Sequence, residues 1–264
     1  NGTPRKKKKI KGRVFSMLSG GAANKNYFHW MFDVLPRLAL IEGKFNLRDI
    51  DFFLLPNTKE KFQKQTLSEL NISSKKWLSS EKFRHIESDE ILVTDHPYAS
   101  ENLTNDIQNI PFWISKWLKV KFISKKTVES NFKKKIYIKR TKRLMGKRRE
   151  IINEEDVINL LLKKDFDIIS LSELNFIDQV SLFNNANLII SLHDAGFANL
   201  PFCKEGTSIL EIKPKTAGKL YENIAKTNKL NYSCINCEPE LTNDKNQDGS
   251  INVNLKILKD YIRE

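Results

Sequence analysis

The second half of the chain alternates short apolar runs with longer amphipathic segments. The apolar runs predict strands at 136–138, 166–171, 187–192, 208–212 and 232–236. The amphipathic segments predict helices at 153–164, 172–186, 218–229 and 255–263. Strands that alternate with helices of this length are typical of βαβ units and of a parallel sheet covered on both faces. This half therefore predicts a doubly wound α/β domain.

The first half shows the same alternation in a less regular form. Its amphipathic segments predict helices at 24–41, 58–70 and 110–118. Its apolar runs predict strands at 51–55, 82–86 and 90–94. A polar, lysine-rich stretch at 119–135 separates the halves, as a linker would. We therefore expect an N-terminal αβ domain at 14–125 and a C-terminal Rossmann-like domain at 126–264.

Positive charge is concentrated in two places. The 264 residues carry a net charge of +13, yet Arg5–Arg13 holds seven basic residues and Lys133–Arg149 holds ten, with no acid in either. The rest of the chain is therefore slightly acidic, which argues against an even basic coat for nucleic acid. We interpret 1–13 as a solvated basic arm. A noncatalytic protein that binds polyanions or nucleic acid through these segments stays open as an alternative, although Tyr137 is their only aromatic residue.

Composition also limits the cofactors and the compartment. No apolar run approaches the ~18 residues that a membrane span needs. Three cysteines cannot form a disulfide framework for a chain of this length, which indicates a reducing, cytoplasmic compartment. Cys234 and Cys237 have the spacing of half a zinc site, but the sequence has no second pair and its four histidines are scattered. We expect ordinary thiols and no metal site.

Basic side chains follow the strand predicted at 136–138. Arg140 stands just past the strand end, and Arg149 closes the basic stretch. In an open parallel sheet, ligands bind in the crevice at the carboxyl ends of the strands. A guanidinium group there offers a bidentate fork to a phosphate or carboxylate. The pattern predicts an anion clamp, with a solvated basic loop or a nucleic-acid contact as the alternatives.

A small-residue turn follows the strand predicted at 187–192. It reads HDAGFAN and contains His193, Gly196 and Asn199. A strand, a turn and a helix start direct backbone N–H groups at one point, which suits a phosphate, although the GxGxxG dinucleotide fingerprint is absent from the sequence. Glu211 lies inside the next apolar strand, where an unpaired carboxylate is costly to bury. We expect it to bind a ligand hydroxyl, such as a ribose, or to pair with a local base.

A histidine and a carboxylate share one face of the helix predicted at 24–41. His29 and Asp33 are four residues apart, so the carboxylate can orient the imidazole and increase its basicity. Arg37 extends the same face. A buried helix with a satisfied His–Asp pair is the alternative.

Three segments that contain these residues carry a family resemblance. They are NYFHW at 26–30 with LPRL at 35–38, YIKR at 137–140 with the basic stretch behind it, and HDAGFANLPF at 193–202 closed by Glu211. In this order they resemble glycosyltransferase family 61, a group that contains plant xylan transferases, animal O-GlcNAc-type transferases and many bacterial surface-polysaccharide enzymes.

The resemblance implies a GT-B fold, in which two Rossmann-like domains face each other across a cleft. The N-terminal domain would bind the acceptor and the C-terminal domain the nucleotide sugar, with a UDP-sugar as the expected donor. Arg140 and Arg149 would hold the donor diphosphate, the turn at 193–199 would cradle it, and Glu211 would lie near the nucleoside. The departure is Asp194, where the family usually has glycine, because a carboxylate should repel a diphosphate unless it points away or pairs with an arginine. That change leaves open a degenerate transferase with a scaffold role.

The resemblance also sets the expected chemistry, which is inverting transfer without an obligatory metal or other cofactor. His29 is the expected base for the acceptor proton, with Asp33 as its orienter or as the base itself. The expected partners are a nucleotide sugar and a glycan or glycolipid acceptor of bacterial surface-polysaccharide synthesis, without nucleic acid. Arg5–Arg13 is expected to be a solvated arm or a patch that touches anionic lipid at the inner face of the membrane. The letters DFD at 165–167 fit a metal-binding pair but begin a strand away from the expected site.

Overall fold

The computed structural model describes residues 6–19, 22–98, 107–123, 132–140, 149–240 and 249–262. The chain forms two compact units, Asn1–Asp106 and Ile107–Glu264. This division differs from the boundary expected near residue 125, because the tryptophan-rich helix belongs to the second unit. Phe122 at the end of that helix packs edge-on against Phe176, with ring centroids 4.7 Å apart. The last turn of the helix thus takes up part of the stretch expected as a linker.

The first unit is built on a parallel sheet. Its main described elements are β1 Lys8–Ser16, α1 Tyr27–His29, a π-helical turn Trp30–Val34, α2 Pro36–Glu42, β2 Phe52–Leu55, α3 Lys61–Glu69, β3 Trp77–Ser79 and β4 Ile86–Leu92. The strand order is β3-β2-β1-β4, and all neighbours are parallel. The strand predicted at 82–86 is wrong, because most of that segment is a turn that leads into β4. The order reverses between β1 and β4, so their carboxyl ends form the switch point at which an open sheet binds ligands.

Strand β1 takes the place of the basic arm expected at 1–13, whose first five residues lie outside the described part of the chain. It lies between β2 and β4. Two cations of this segment pair with acids, Lys7 just before the strand with Glu87 and Arg13 within it with Glu90. From Lys8 onward the expected solvated arm is therefore a central strand with local ion pairs, and its contact with anionic lipid stays a prediction. Lysines at its outward positions conceal the apolar alternation of this strand.

The second unit carries a second parallel sheet. Its main described elements are α4 Phe112–Phe122, β5 Lys135–Ile138, α5 Glu154–Leu162, β6 Asp167–Ile169, α6 Phe176–Asn185, β7 Leu188–Leu192, a 3₁₀ helix Ala195–Phe202, β8 Ser208–Pro214, α7 Leu220–Thr227, β9 Asn231–Cys237 and α8 Leu255–Tyr261. The strand order is β6-β5-β7-β8-β9, with all neighbours parallel. The predicted α/β class with parallel sheets is confirmed. The order reverses between β5 and β7, which places a switch point at the carboxyl ends of these strands.

The core of the second unit lies between its sheet and the helices. Tyr137, Ile190 and Leu210 from three adjacent strands pack together with Val157 and Leu161 of α5. Strands β7 and β8 are buried along almost their whole length, as central strands of a parallel sheet are. They form a fixed platform for the polar residues that follow them. Within the described residues, we find no helix with the length and apolar character to cross a bilayer.

Candidate active site

One polar cluster lies at the switch point of the second sheet. Ile138 and Ser191 are aligned in register near the ends of β5 and β7, so the residues that follow these strands meet at one edge. Arg140 Nε lies 2.9 Å from Asp194 Oδ2. The other Asp194 oxygen accepts the N–H of Ala195 at 2.6 Å. The carboxylate therefore occupies a guanidinium and a backbone amide, which are two kinds of donor that a phosphate oxygen uses.

The two arginines of the expected clamp are held by backbone carbonyls. Arg140 Nη1 donates to the carbonyl of Arg149 at 2.6 Å, and Arg149 Nη1 donates to the carbonyl of His193 at 3.1 Å. The side chains of Arg140 and Asp194 are 25% and 28% exposed, so an anion can reach the pair from solvent. The basic residues between the two arginines, at 142–148, lie outside the described residues.

The ring of His193 belongs to a buried network. Its Nδ1 hydrogen-bonds to one oxygen of Glu211, Tyr232 donates to the other, and Lys213 Nζ lies 3.8 Å from that second oxygen. Burial and the charge of Glu211 raise the pKa of the Tyr232 phenol, which keeps it a donor. Glu211 is 0% exposed, and both its oxygens have protein partners. Of the two alternatives for Glu211, pairing with a local base is the one observed, since it contacts His193, and its expected place near the nucleoside stays a prediction.

The turn after β7 is closely packed. A Cβ atom on Gly196 would come within 3.0 Å of a methyl group of Leu171, so glycine lets the turn approach the segment before α6. Asn199 is fully buried, and its amide donates to Gln179 at 3.1 Å. Gln179 donates in turn to the carbonyl of Leu171 at 2.9 Å. Gly196 and Asn199 therefore hold the shape of the turn, and the donor contact expected of Asn199 stays a prediction.

A second polar cluster lies at the switch point of the first sheet. His29 Nδ1 lies 2.7 Å from Asp33 Oδ2, as the four-residue spacing predicts. Tyr98, from the segment after β4, donates to Asp33 Oδ1 at 2.7 Å. Burial and the charge of Asp33 raise the pKa of the Tyr98 phenol, so it stays a donor. The side chain of His29 is 25% exposed and that of Asp33 only 8%, which lets the ring, rather than the carboxylate, meet a substrate.

His96 and Arg37 surround the same carboxylate. His96 Nε2 is 4.0 Å from Asp33 Oδ1 and is buried with no hydrogen-bond partner among the described residues, while its Nδ1 hydrogen-bonds to the carbonyl of Tyr98. Arg37 donates to the carbonyls of Asp33 and Thr94, both at 3.0 Å. Burial lowers the pKa of Arg37, and the charge of Asp33 opposes that shift. Arg37 thus joins the helical segment after β1 to the segment after β4.

The local sequence explains how His29 and Asp33 are presented. Asn26 caps α1 by accepting a backbone N–H with its side chain. Trp30 is fully buried, and its indole N–H donates to Thr66 of α3 at 2.9 Å. The N–H of Leu35 bonds to the carbonyl of Trp30 at 3.0 Å, five residues back, which widens the helix at Asp33. Such π-helical turns are frequent at functional sites.

Sequence reasoning missed the residues that complete both clusters. Thr94, His96 and Tyr98 follow the carboxyl end of β4, so the strand-end rule that identified Arg140 would also have found them. Tyr232 carried no such signal, because it lies within β9 and reaches Glu211 only through the pairing of β8 with β9.

Metal-binding groups can be surveyed in the part of the chain that the structure describes. There, no group of three or more His, Cys, Asp or Glu side chains is arranged to hold a metal ion. Cys234 and Cys237 are free thiols on β9. The carboxylates of Asp165 and Asp167, from the DFD letters, lie 2.7 and 3.8 Å from the ammonium of Lys133 at the amino end of β6. They pair locally at the edge of the sheet opposite the switch point.

A family profile described as glycosyltransferase 61 matches residues 27–210, about 70% of the chain. The chain belongs to glycosyltransferase family 61. No curated protein matches it. The matched region contains the His29–Asp33 cluster and the Arg140–Asp194 pair, and it ends one residue before Glu211. This glycosyltransferase takes a sugar donor and an acceptor as substrates, which favours the enzyme over the polyanion-binding alternative.

Proposed function

We propose that this glycosyltransferase is an inverting, metal-independent enzyme with a nucleotide-sugar donor, in which the two units are the two domains of a GT-B fold. The observation that carries the proposal is the Arg140–Asp194 pair at the switch point of the second sheet. It is a solvent-accessible guanidinium held by a carboxylate at the place where doubly wound sheets bind nucleotides. A carboxylate-oriented histidine at the switch point of the first sheet supports the transfer step.

The reaction needs a proton acceptor and a stabilised leaving group. The acceptor hydroxyl oxygen attacks the anomeric carbon as His29 takes the hydroxyl proton, with Asp33 fixing the ring. The bond from that carbon to the phosphate oxygen breaks, and the nucleoside diphosphate leaves with the electron pair. Arg140 stabilises the negative charge that develops on the leaving diphosphate. One preorganised donor contributes ~3 kcal/mol to such stabilisation.

The finer parts of the proposal rest on the motif resemblance. We propose a UDP-sugar as donor, a glycan or glycolipid of bacterial surface-polysaccharide synthesis as acceptor, and a cytoplasmic location. Asp194 is compatible with a diphosphate site because it pairs with Arg140. The pairing places Asp194 in competition with the diphosphate for Arg140.

Turnover of a donor panel in the presence of EDTA tests the proposal. We expect a nucleoside-diphosphate sugar to be hydrolysed slowly without an acceptor, and sugars linked to a nucleoside monophosphate to be left intact. Free nucleotide release is the measurement. If every donor is left intact while nucleoside diphosphate still binds, the scaffold alternative is correct. Loss of turnover on chelation, restored by Mn²⁺, would show that the metal-independent class is wrong.

Asp194→Asn is expected to strengthen the binding of nucleoside diphosphate at least about fivefold. The wild-type carboxylate competes with a phosphate for Arg140 Nε and the Ala195 amide, and a like charge ~4 Å away costs ~1 kcal/mol even in water. Titration calorimetry measures the effect. Glu205→Gln is a matched control, since it removes an ion-paired carboxylate away from the clamp. Glu205 precedes the amino end of β8 and lies 3.1 Å from Lys229. Weaker binding by Asp194→Asn would show that this carboxylate organises the clamp.

A further inference from the structure

Helix α4 is apolar on two opposite faces. Side chains three and four residues apart share one face of a helix. The face that packs into the second unit comprises Ile114, Ser115, Leu118 and Phe122. The opposite face, here called the α4 face, comprises Phe112, Trp113, Lys116, Trp117 and Val120. A helix whose task is only to cover a core carries polar residues on its outer side, so the apolar outer side needs another explanation.

The α4 face presents large apolar side chains to solvent. Phe112 is 48% exposed and Val120 is 70% exposed. Trp113 and Trp117 lie between them and are partly buried. Two of the four tryptophans of the chain are therefore in this one helix. Tryptophan is enriched where proteins meet the boundary between lipid headgroups and acyl chains, because its ring is both apolar and polar.

Lysines surround this apolar surface. Lys116 is exposed on the α4 face, and the ammonium of Lys121 lies 5.8 Å from the ring centroid of Trp117. Lys119 is a third cation in the helix, and Phe112–Phe122 contains no acidic residue. Lysine stems lie along apolar surface while their ammonium groups extend toward a polar phase. This combination of tryptophan, apolar residues and lysine is that of a helix lying in a membrane interface.

We propose that the α4 face binds the surface of an anionic membrane. Trp113, Trp117 and Val120 would enter the headgroup boundary, and the lysines would contact the lipid phosphates. Every charged residue of helix α4 is a lysine, and the carboxylate of Glu205, from a neighbouring segment, acts on Lys119. This excess of cations complements a continuous negative surface, on which each added cation strengthens attraction. A protein surface of mixed charge offers no such match. The inference goes beyond the proposed function and is independent of it, because membrane binding requires neither donor nor acceptor.

Co-sedimentation of the full chain with two kinds of vesicle tests this inference. One kind is phosphatidylcholine alone, and the other contains phosphatidylglycerol as well. We expect the wild-type protein to sediment with the anionic vesicles and to be released by high salt. Val120→Glu should lower the partition coefficient at least tenfold, since it places a carboxylate among lipid phosphates. Leu162→Glu is the matched control, because Leu162 is 54% exposed on another helix of the same unit, and it should bind as the wild type does.

A second variant separates lipid binding from loss of structure. Lys116→Gln with Lys121→Gln keeps the apolar side chains and should abolish the preference for anionic vesicles. Both variants should retain the circular dichroism and the nucleoside-diphosphate affinity of the wild type. Equal binding of Val120→Glu and wild type would overturn the assignment, as would the absence of wild-type binding to anionic vesicles. If the wild type does not bind vesicles but forms dimers that Val120→Glu disrupts, the α4 face contacts a second copy of the chain instead.

Discussion

His29→Ala is expected to lower kcat by about 10²- to 10⁴-fold, which is the range that a positioned general base contributes. Asp33 holds the ring at 2.7 Å, so the substitution removes the proton acceptor and leaves the rest of the cluster in place. Donor affinity should stay near the wild-type value, because Arg140 belongs to the other unit. Steady-state kinetics with varied acceptor measure kcat, and calorimetry with nucleoside diphosphate measures donor affinity.

Two further variants separate the base from its orienting partners. Asp33→Asn should cost less than His29→Ala if Asp33 only orients the ring, and as much if Asp33 is itself the base. Tyr98→Phe removes one hydrogen bond to Asp33 without touching His29, so a smaller fall in kcat with an unchanged acceptor KM is expected. If His29→Ala kept a normal kcat and only raised the acceptor KM, His29 would be a binding residue. The search for the base would then move to Asp33 and His96.

Arg140→Ala is expected to weaken nucleoside-diphosphate binding by about 10²-fold and to abolish measurable transfer. The residue lies past the end of β5, and its guanidinium is positioned by the carbonyl of Arg149 and the carboxylate of Asp194. Such a preorganised donor stabilises the negative charge that develops on a leaving diphosphate by ~3 kcal/mol. Calorimetry with free nucleoside diphosphate gives the affinity, and product formation gives the rate.

Lys139→Ala is the matched control for this clamp. Lys139 is exposed beside Arg140 on the same segment, so its removal tests whether any positive charge on this segment is sufficient to bind nucleoside diphosphate. Arg140→Lys keeps the charge and loses the rigid fork, and we expect it to bind only slightly better than the alanine variant. If Arg140→Ala bound nucleoside diphosphate as tightly as the wild type, the assignment of Arg140 to the donor diphosphate would be wrong.

The second unit was the easier one to predict, for a physical reason. Its central strands are buried on both faces, so each is a continuous apolar run, as in the strand predicted at 187–192 and observed at Leu188–Leu192. The first unit lacks this signal. Strand β1 has lysines among its own residues that interrupt its apolar run, and β3 has only three residues. Neither can be recognised without the neighbouring strands that make it part of a sheet.

Local spacing predicted part of each cluster, and long-range pairing supplied the remainder. His29 and Asp33 are neighbours on one helical segment, so four-residue spacing was enough. Tyr98 reaches Asp33 only because β1 pairs with β4, and no periodicity in the sequence encodes that register. The pairing of Asp194 with Arg140 likewise depends on the adjacency of β5 and β7. Sequence reasoning could bring both residues to one sheet edge, yet it left open whether Asp194 repels the diphosphate, points away from it or pairs with an arginine.

The position of β1 has a consequence for synthesis of the chain. Lys8 of β1 pairs in register with Ile86 of β4, so after Lys8 is synthesised 78 further residues must follow before the second neighbour of β1 exists. At ~5–20 residues per second, that wait lasts several seconds. An exposed strand edge is a template for pairing with other chains, and lysines are a common protection against it. The basic run that neutralises Glu87 and Glu90 in the folded sheet therefore also guards the nascent chain against aggregation.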